Sequence, residues 1–236
     1  MTMAFLRGLL YMSLFFPLTF LVAGTALVCS LPDPRRYGAF ARFWGRMGLA
    51  LAGIRVAVNG TERLPAGPVI VMSNHQSNFD ILALQGHFPR RLSWIAKEEL
   101  FRIPVFGPSM RRGGYIPLDR GHGRKALKSI DEAAQQIRNG ASVIIFPEGT
   151  RTRDGRLLPF KRGGFMLAAR AGVPVVPVTL VGSFGVNPGG TCKLYPFRQV
   201  EIRIGKPIAV PQGMRRSEAE EFLMARVHDA IAKEIG

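Results

Sequence analysis

The sequence predicts an α/β fold in which helices cover both faces of a sheet, and two patterns predict it. Seven short apolar segments, most of them rich in β-branched residues, have the length expected of buried strands. They are residues 54–58, 69–72, 92–96, 115–118, 143–146, 175–180 and 200–204. Segments with the apolar spacing of helices lie between several of them, and this alternation is typical of layered α/β domains.

Three of the helices can be placed by their apolar faces and their ends. One has an apolar face formed by Leu127, Ile130, Ala134 and Ile137. Gly140 is expected to end that helix, because glycine readily adopts the backbone conformation that terminates helices. A second helix covers residues 165–171, and the last begins with a capping box of Ser217 and Glu220 and runs to Ile235.

Length and charge limit the class of protein. A chain of 236 residues can hold one medium-sized domain and a small appendage, and with 47% hydrophobic residues it is neither disordered nor fibrous. Lys and Arg outnumber Asp and Glu 32 to 16, and the net charge of +16 favours an anionic partner: nucleic acid, anionic lipid or an acidic carrier protein. Cys29 and Cys192 indicate no disulfide framework, and no Cys/His cluster has the spacing of metal ligands.

The N-terminal segment favours a membrane among these partners. Residues 8–31 contain no charge and would form a helix of about 36 Å, enough to cross a bilayer core of about 30 Å. The alternative is a cleaved signal peptide, but its apolar region would be shorter, at about 7–15 residues. Pro17 would kink the helix, so insertion into one leaflet stays open beside a full span.

A second helix is expected directly after this segment, with Asp33 as its N-cap and Pro34 at its first position. Its apolar positions are Phe40, Phe43, Trp44, Met47 and Leu51, and its basic residues are Arg35, Arg36, Arg42 and Arg46. Such a helix fits the lipid headgroup layer, although an ordinary surface helix packed on a core has the same pattern. We therefore divide the chain into a membrane-anchoring helical motif, residues 1–53, and a main domain, residues 54–236. By the positive-inside rule, the main domain is expected in the cytoplasm.

One stretch carries the first chemical signal, because a histidine and a carboxylate follow a predicted strand. His75 and Asp80 lie between the strand that ends at Met72 and an apolar segment that reads as a helix. A neutral histidine can accept a proton, and a carboxylate on its other ring nitrogen would fix its tautomer. Taken alone, this spacing also fits a histidine that caps a turn and an aspartate that favours a helix N-terminus.

Two further clusters follow predicted strands. Glu148, Gly149 and Arg151 come after the strand at residues 143–146, where the glycine permits a tight turn and the arginine offers a planar fork for phosphate oxygens. The other cluster comprises residues 111–114 and 118–120, on either side of a short strand. Each basic cluster by itself also fits a solvated surface.

Four blocks in this order resemble those of the glycerolipid acyltransferases, most closely the bacterial 1-acyl-sn-glycerol-3-phosphate acyltransferases. The blocks are Asn74-His75-x4-Asp80, Leu118-Asp119-Arg120, Phe146-Pro147-Glu148-Gly149-Thr150-Arg151 and Val173-Pro174-Val175-Val176-Pro177-Val178. The resemblance runs from about residue 64 to residue 181, includes the segment 96–104, and extends more loosely to the N-terminus. It implies a mixed sheet flanked by helices, with a membrane-inserting N-terminal motif.

The resemblance also implies a role for each matching residue. His75 would be the general base on the acceptor hydroxyl, with Asp80 as its orienting partner. The acceptor phosphate would be bound at a subsite formed by Arg120, Glu148, Gly149, Thr150 and Arg151, and Asn74 and Lys97 are accessory candidates.

The implied reaction transfers a fatty acyl group to a lysophospholipid, most closely 1-acyl-sn-glycerol-3-phosphate. The acyl donor would be an acyl-carrier protein thioester or acyl-CoA, with no cofactor and no metal. The implied partners are membrane lipids, the lysophospholipid and the donor, and the implied location is the cytoplasmic face of a bacterial inner membrane.

Two departures from the family pattern leave the acceptor open. The second block has an altered hydrophobic lead-in, Tyr115-Ile116-Pro117, and residues 181–185 replace an expected Asn-Ser-Gly-type sequence. Lyso-ornithine lipid or another lysophospholipid therefore stays an alternative acceptor. From other classes, a nucleic-acid-binding protein would explain the charge but not the uncharged N-terminal segment, and a non-catalytic membrane scaffold would not need the His75 and Glu148 clusters.

Overall fold

A computed structural model describes residues 2–118 and 123–235, and one seven-stranded sheet forms the centre of this described part. The strands are β1 (Arg55–Asn59), β2 (Ile70–Ser73), β3 (Ser93–Lys97), β4 (Ile116–Leu118), β5 (Val143–Ile145), β6 (Val175–Val181) and β7 (Gln199–Ile204). Their order across the sheet is β1-β7-β6-β2-β5-β3-β4. β7 runs antiparallel to β6 and the other neighbours are parallel, so the sheet is mixed, as expected. All seven predicted strands are confirmed to within one residue at each end.

Helices pack on both faces of this sheet. They are α1 (Met3–Cys29), α2 (Tyr37–Leu51), α3 (Phe79–His87), α4 (Phe106–Arg112), α5 (Arg124–Arg138), α6 (Gly163–Ala171), α7 (Ser183–Val186) and α8 (Arg216–Ile235). Alternate residues of β2 point to opposite faces: Val71 joins an apolar cluster with α3, whereas Ile70 and Met72 join one with α5, α6 and α8. The predicted two-faced burial is confirmed.

The predicted start of α8 is wrong in one detail. The helix begins at Arg216, so Ser217 already lies in its first turn. The carboxylate of Glu218 accepts a hydrogen bond from the backbone N–H of Arg215 at 3.2 Å, while Glu220 is only 5% exposed and pairs with Arg162 at 2.6 Å. Glu220, which the local pattern assigns to the helix cap, therefore forms a long-range ion pair with Arg162 instead.

Helix α1 lies against the rest of the protein along its whole length. The backbone N–H of Leu194 donates to the carbonyl of Ala4 at 2.9 Å, the Tyr11 hydroxyl donates to the carbonyl of Gly48 at 3.0 Å, and Arg112 donates to the carbonyl of Ser30 at the far end. The helix runs uninterrupted through Pro17. In the described part of the chain, it is the one helix long and apolar enough to cross a membrane by length and composition.

The helical segment starts at Asp33 as predicted, since the Asp33 carboxylate accepts from the backbone N–H of Arg35 at 2.9 Å, but its first turn, Pro34–Arg36, is a 3₁₀ helix that leads into α2. Phe43 of the predicted apolar stripe is exposed, but the Trp44 ring packs against α1 and its N–H donates to the Thr19 hydroxyl at 3.0 Å. Leu49 and Ala52 belong to the same buried cluster as β2 and β6. A domain boundary after residue 53 stays a sequence-based prediction.

Glycine allows α2 and α3 to approach backbone to backbone. A Cβ atom added to Gly45 would lie 2.6 Å from the Gly86 nitrogen and 2.8 Å from the Leu82 carbonyl oxygen. These neighbours are main-chain atoms of another helix, so they cannot rotate away as a flexible side chain would. The contact therefore fixes how the N-terminal helices are seated on the domain.

We expect Gly45→Ala to lower the free energy of unfolding by about 1–3 kcal/mol through overpacking. Helix propensity alone predicts the opposite sign, because Ala is favoured over Gly in a helix interior by about 0.8–1.0 kcal/mol. The matched control is Gly24→Ala in α1, where the added Cβ would meet one atom, at 3.7 Å. Thermal unfolding of both variants tests this, and equal unfolding temperatures would contradict the assigned contact.

Candidate active site

The two main chemical clusters meet because they follow neighbouring strands. β2 and β5 are parallel and adjacent, with Met72 opposite Ile145. The segments that leave their carboxyl ends therefore emerge at one edge of the sheet, where α/β folds commonly bind ligands. The backbone N–H of His75 donates to the Glu148 carboxylate at 2.5 Å, and the backbone N–H of Thr152 donates to the His75 carbonyl at 3.0 Å.

His75 and Asp80 form the predicted pair. Nδ1 of His75 lies 2.8 Å from Oδ2 of Asp80, and the same oxygen accepts the backbone N–H groups of Gln76 at 2.6 Å and Ser77 at 2.8 Å. This oxygen already accepts two N–H groups, so Nδ1–H is the donor to it, and in a neutral imidazole that tautomer leaves the lone pair on Nε2. Asp80 is fully buried, and the His75 side chain keeps 12% of its surface exposed.

The ring of Phe146 fixes the plane of the imidazole. The two ring centroids are 3.8 Å apart and the planes differ by 6°, which is a stacked arrangement. Nε2 of His75 has no hydrogen-bond partner among residues 2–118 and 123–235. The site therefore presents an oriented, partly exposed imidazole ring with one ring nitrogen unbonded in the described structure.

Glu148 is buried next to the backbone of His75. One carboxylate oxygen accepts from the backbone N–H of His75, and the other accepts from the backbone N–H of Leu158 at 2.8 Å. Burial raises the pKa of Glu148 to about 7, since desolvation and the charge of Asp80 outweigh the two N–H donors. With 2% of its surface exposed and a backbone N–H on each oxygen, Glu148 supports the turn that carries the site, and its place in a phosphate subsite stays a prediction.

The turn after Glu148 carries the remaining predicted residues. Gly149 has a φ of +71°, which glycine adopts without strain, and the Lys161 side chain lies across its open side. Thr150 is exposed. The Arg151 guanidinium donates to the side-chain carbonyl oxygen of Asn78, a residue inside the His75–Asp80 spacing that sequence reasoning did not single out.

The accessory candidates have different environments. Asn74 is buried, and its side-chain amide exchanges two hydrogen bonds with the backbone of Leu180, at 2.7 and 2.9 Å, which joins β2 to β6. Lys97 ends β3 at the same edge of the sheet and pairs with Glu99 at 3.2 Å. Arg120 lies outside the described residues. Among the residues that are described, no group of three or more His, Cys, Asp or Glu side chains could hold a metal ion.

An apolar cavity of about 200 Å³ lies on the α1 and α2 side of the site. Its walls include Thr19, Val22, Ala23, Ala26, Tyr37, Ala41, Trp44, Ile81, Trp94, Ala96, Leu100, Phe106, Met110 and Tyr115. The Trp94 ring also contacts the Phe146 ring, with centroids 5.9 Å apart. Trp94, which lines the cavity, thus contacts the Phe146 ring that stacks on His75, and the apolar lining suits a hydrocarbon chain rather than a polar ligand.

Comparison with known proteins gives a consistent picture. A family model described as Acyltransferase matches residues 55–181. The chain is 41% identical over 153 residues to a chloroplastic 1-acyl-sn-glycerol-3-phosphate acyltransferase of Brassica napus, covering 64% of this chain and 44% of that protein. It is 39% identical over 153 residues to a 1-acyl-sn-glycerol-3-phosphate acyltransferase of Pseudomonas aeruginosa, covering 63% of this chain and 59% of that one. The chain spans about half the length of the curated relatives it matches.

One solved structure extends the similarity to the N-terminal helices. The 1-acyl-sn-glycerophosphate acyltransferase of Thermotoga maritima superposes with a TM-score of 0.75 and 30% identity over 96% of this chain and 97% of that one. The family match covers more than half of the 236 residues and includes both His75 and Arg151. On this evidence the chain belongs to the acyltransferase family.

Proposed function

We propose that this protein transfers a fatty acyl group from an acyl thioester to the free hydroxyl of 1-acyl-sn-glycerol-3-phosphate, which gives phosphatidic acid. The observation that carries the proposal is the His75–Asp80 pair at 2.8 Å with Nε2 left free, at the sheet edge where Arg151 also lies. The names of the similar proteins support this acceptor. The thioester is carried by acyl-carrier protein or coenzyme A, and neither a cofactor nor nucleic acid takes part.

The proposed mechanism is direct transfer. A neutral hydroxyl is a poor nucleophile, so Nε2 of His75 takes its proton as the hydroxyl oxygen bonds to the thioester carbonyl carbon. The buried Asp80 carboxylate stabilises the imidazolium that forms. The tetrahedral intermediate then loses the thiolate by cleavage of its C–S bond, and the imidazolium returns the proton to the sulfur. The products are an ester and a free thiol.

The cavity and the arginines are proposed to bind the two ends of the substrates. Arg151 and Arg120 bind the acceptor phosphate, since the guanidinium fork matches phosphate oxygens. The apolar cavity beyond Phe146 holds an acyl chain. This arrangement separates a charged subsite on the loops from an apolar subsite between the helices, with His75 at their junction.

Membrane association is proposed to occur through α1 lying along one leaflet. Contacts at Ala4, Tyr11 and Ser30 hold the helix lengthwise on the domain, which supports a position along one leaflet over a span that projects away from the domain. Its outward side is apolar, with exposures between 41% and 64% for Leu6, Leu9, Leu10, Leu14, Phe16, Phe20, Leu21 and Val28. The excess of arginine after residue 31 favours the cytoplasmic face of the membrane.

We expect His75→Ala to reduce acyl transfer by about 10²–10⁴-fold or more, because the base is lost. Asp80→Asn should also be severely impaired, because an amide does not hold the correct tautomer. The control is His228→Ala, whose side chain is 45% exposed on α8. Initial rates with purified protein and thermal unfolding are measured together. Near-normal turnover in a folded His75→Ala variant would overturn the mechanism.

We expect Glu148→Gln to lower the free energy of unfolding by about 1–3 kcal/mol, because the new amide group faces a backbone N–H donor. A pH signature accompanies this loss. Between the ordinary pKa of 4.5 and about 7, folded Glu148 binds a proton that the unfolded chain releases. The contribution of Glu148 to stability is therefore complete below pH 4.5 and is lost as the pH rises towards 7, by at most about 1.4 kcal/mol per pH unit.

Denaturant unfolding of the native protein and Glu148→Gln across this pH range tests the assignment. The difference in unfolding free energy between them should shrink as the pH rises from 4.5 to 7. The control is Glu132→Gln, a carboxylate with 63% of its side chain exposed. Parallel pH profiles for the native protein and Glu148→Gln would show that burial does not perturb this group.

We expect the triple change of Leu10, Leu14 and Leu21 to Gln to weaken binding to anionic liposomes while leaving the fold intact. Because these side chains are 55–64% exposed, the contacts that seat α1 remain. Activity on lysolipid presented in a bilayer should fall far more than activity on a short-chain, water-soluble analogue. A triple Gln variant of Leu127, Met214 and Phe222, exposed elsewhere, is the control. Equal losses on both substrates would mean that α1 supports the fold and not the membrane contact.

A further inference from the structure

Arg151 is held by an amide rather than by a carboxylate. One of its terminal nitrogens donates to the side-chain oxygen of Asn78, and no Asp or Glu of the described residues forms an ion pair with it. A guanidinium offers five N–H donors, so most of them remain for an incoming anion. A neutral partner can orient the group without neutralising its charge, which a carboxylate would do.

Asn78 is set apart from an ordinary helix cap. It occupies the N-cap position of α3, where asparagine usually accepts a hydrogen bond from the backbone N–H groups of the first turn. Its side chain makes no such bond. The Ser77 hydroxyl oxygen instead accepts a hydrogen bond from the backbone N–H of Phe79 at 3.2 Å, so the first turn is capped without the Asn78 amide, which bonds to Arg151.

A second amide determines which way the Asn78 amide points. The side-chain nitrogen of Asn78 donates to the side-chain oxygen of Asn187 at 3.3 Å. The nitrogen of Asn187 donates to the carbonyls of Thr191 at 3.1 Å and Lys193 at 2.8 Å, so its oxygen must face Asn78. The oxygen of Asn78 is thereby left for Arg151. Each amide has one orientation that satisfies the whole chain of bonds.

The loop that carries Asn187 is itself fixed against Arg151. A Cβ atom added to Gly189 would lie 2.9 Å from the Arg151 Cβ and 2.1 Å from the Thr152 carbonyl oxygen. The loop therefore lies against the Cβ atom of Arg151 and the main chain of Thr152, and it also carries Asn187. Asn187 is 7% exposed, so water does not compete freely for its amide.

We propose that Asn78, oriented by Asn187, is a positioning residue that aims the Arg151 guanidinium at the phosphate of the substrate. The proposal rests on the function proposed above and adds the two amides to its phosphate subsite. The ligand chemistry is a phosphate group. The lysolipid phosphomonoester is one source of this group, and the phosphates of the thioester donor are another.

The test measures KM for acceptor and donor separately, together with kcat, for Asn78→Ala. Loss of an oriented, charge-assisted contact should raise the acceptor KM about tenfold or more, with donor KM and kcat nearly unchanged. A rise confined to the donor KM would overturn the assignment to the acceptor phosphate. Asn139→Ala, an exposed asparagine that ends α5, controls for loss of an amide.

A double-mutant cycle with Arg151→Lys separates positioning from general support of the fold. Lysine cannot reproduce the fork, so Arg151→Lys alone should raise the acceptor KM. Asn78→Ala should then add little in the Arg151→Lys background, because its effect passes through the guanidinium. Additive losses would overturn the positioning role. Asn78 is exposed, so Asn78→Ala is expected to fold and the cycle can test the positioning role. A variant of the buried Asn187 is not needed for this test.

The outcomes also distinguish this proposal from the function on which it rests. If Arg151→Lys leaves the acceptor KM unchanged, the phosphate subsite itself is wrong. If Arg151→Lys raises the acceptor KM and Asn78→Ala does not, Arg151 binds the phosphate but Asn78 and Asn187 do not position it.

Discussion

The site depends on the hydrogen bonds that the buried carboxylate of Asp80 accepts. A single oxygen accepts three hydrogen bonds, from the imidazole of His75 and the backbone N–H groups of Gln76 and Ser77. These bonds close the turn between β2 and α3 and set the position of the histidine ring at the same time. A buried charge without such donors would be strongly unfavourable, and the turn supplies them from its own main chain. The other oxygen has no partner in the described structure, which is an unusual cost at a position with no solvent exposure.

The fold could be predicted from the sequence where the signal is local. β2 and β5 are short β-branched runs, and a buried parallel strand needs little else to be recognised. The capping box at Ser217 failed because Glu220 bonds to Arg162, 58 residues away, and no local pattern reports such a partner. Likewise, the spacing of Trp44 fits a lipid-facing stripe and a packed helix equally, and its hydrogen bond to Thr19 of the preceding helix decides for packing at this residue.

The candidate site shows the same contrast between local and long-range contacts. The spacing of His75 and Asp80 lies within one turn, so their pairing could be predicted from the sequence. The position of Glu148 could not, because its carboxylate contacts the backbone of a residue 73 positions earlier. A charged residue near an arginine suggests a ligand contact when only the sequence is known, and no local pattern reports that this carboxylate is buried on two backbone N–H groups. The sequence offers one indication for Asn78. Ser77 and Asn78 are both polar residues at a predicted helix start, and the one that does not cap the helix is available to bond to another segment.

The glycine contact between α2 and α3 affects how the N-terminal helices respond to their surroundings. Side chains that hold two helices together by excluding water lose that driving force when hydrocarbon replaces the water. Gly45 and Gly86 instead bring main chains together, so the attachment depends on close packing, and the neighbouring hydrogen bond from Arg46 to the Gly86 carbonyl at 2.9 Å adds to it. Packing of this kind is nearly indifferent to the solvent outside. The contact between α2 and α3 can therefore keep one geometry in an aqueous and in a lipid environment. The large apolar side chains on the outer surface can meanwhile exchange contact with water for contact with lipid.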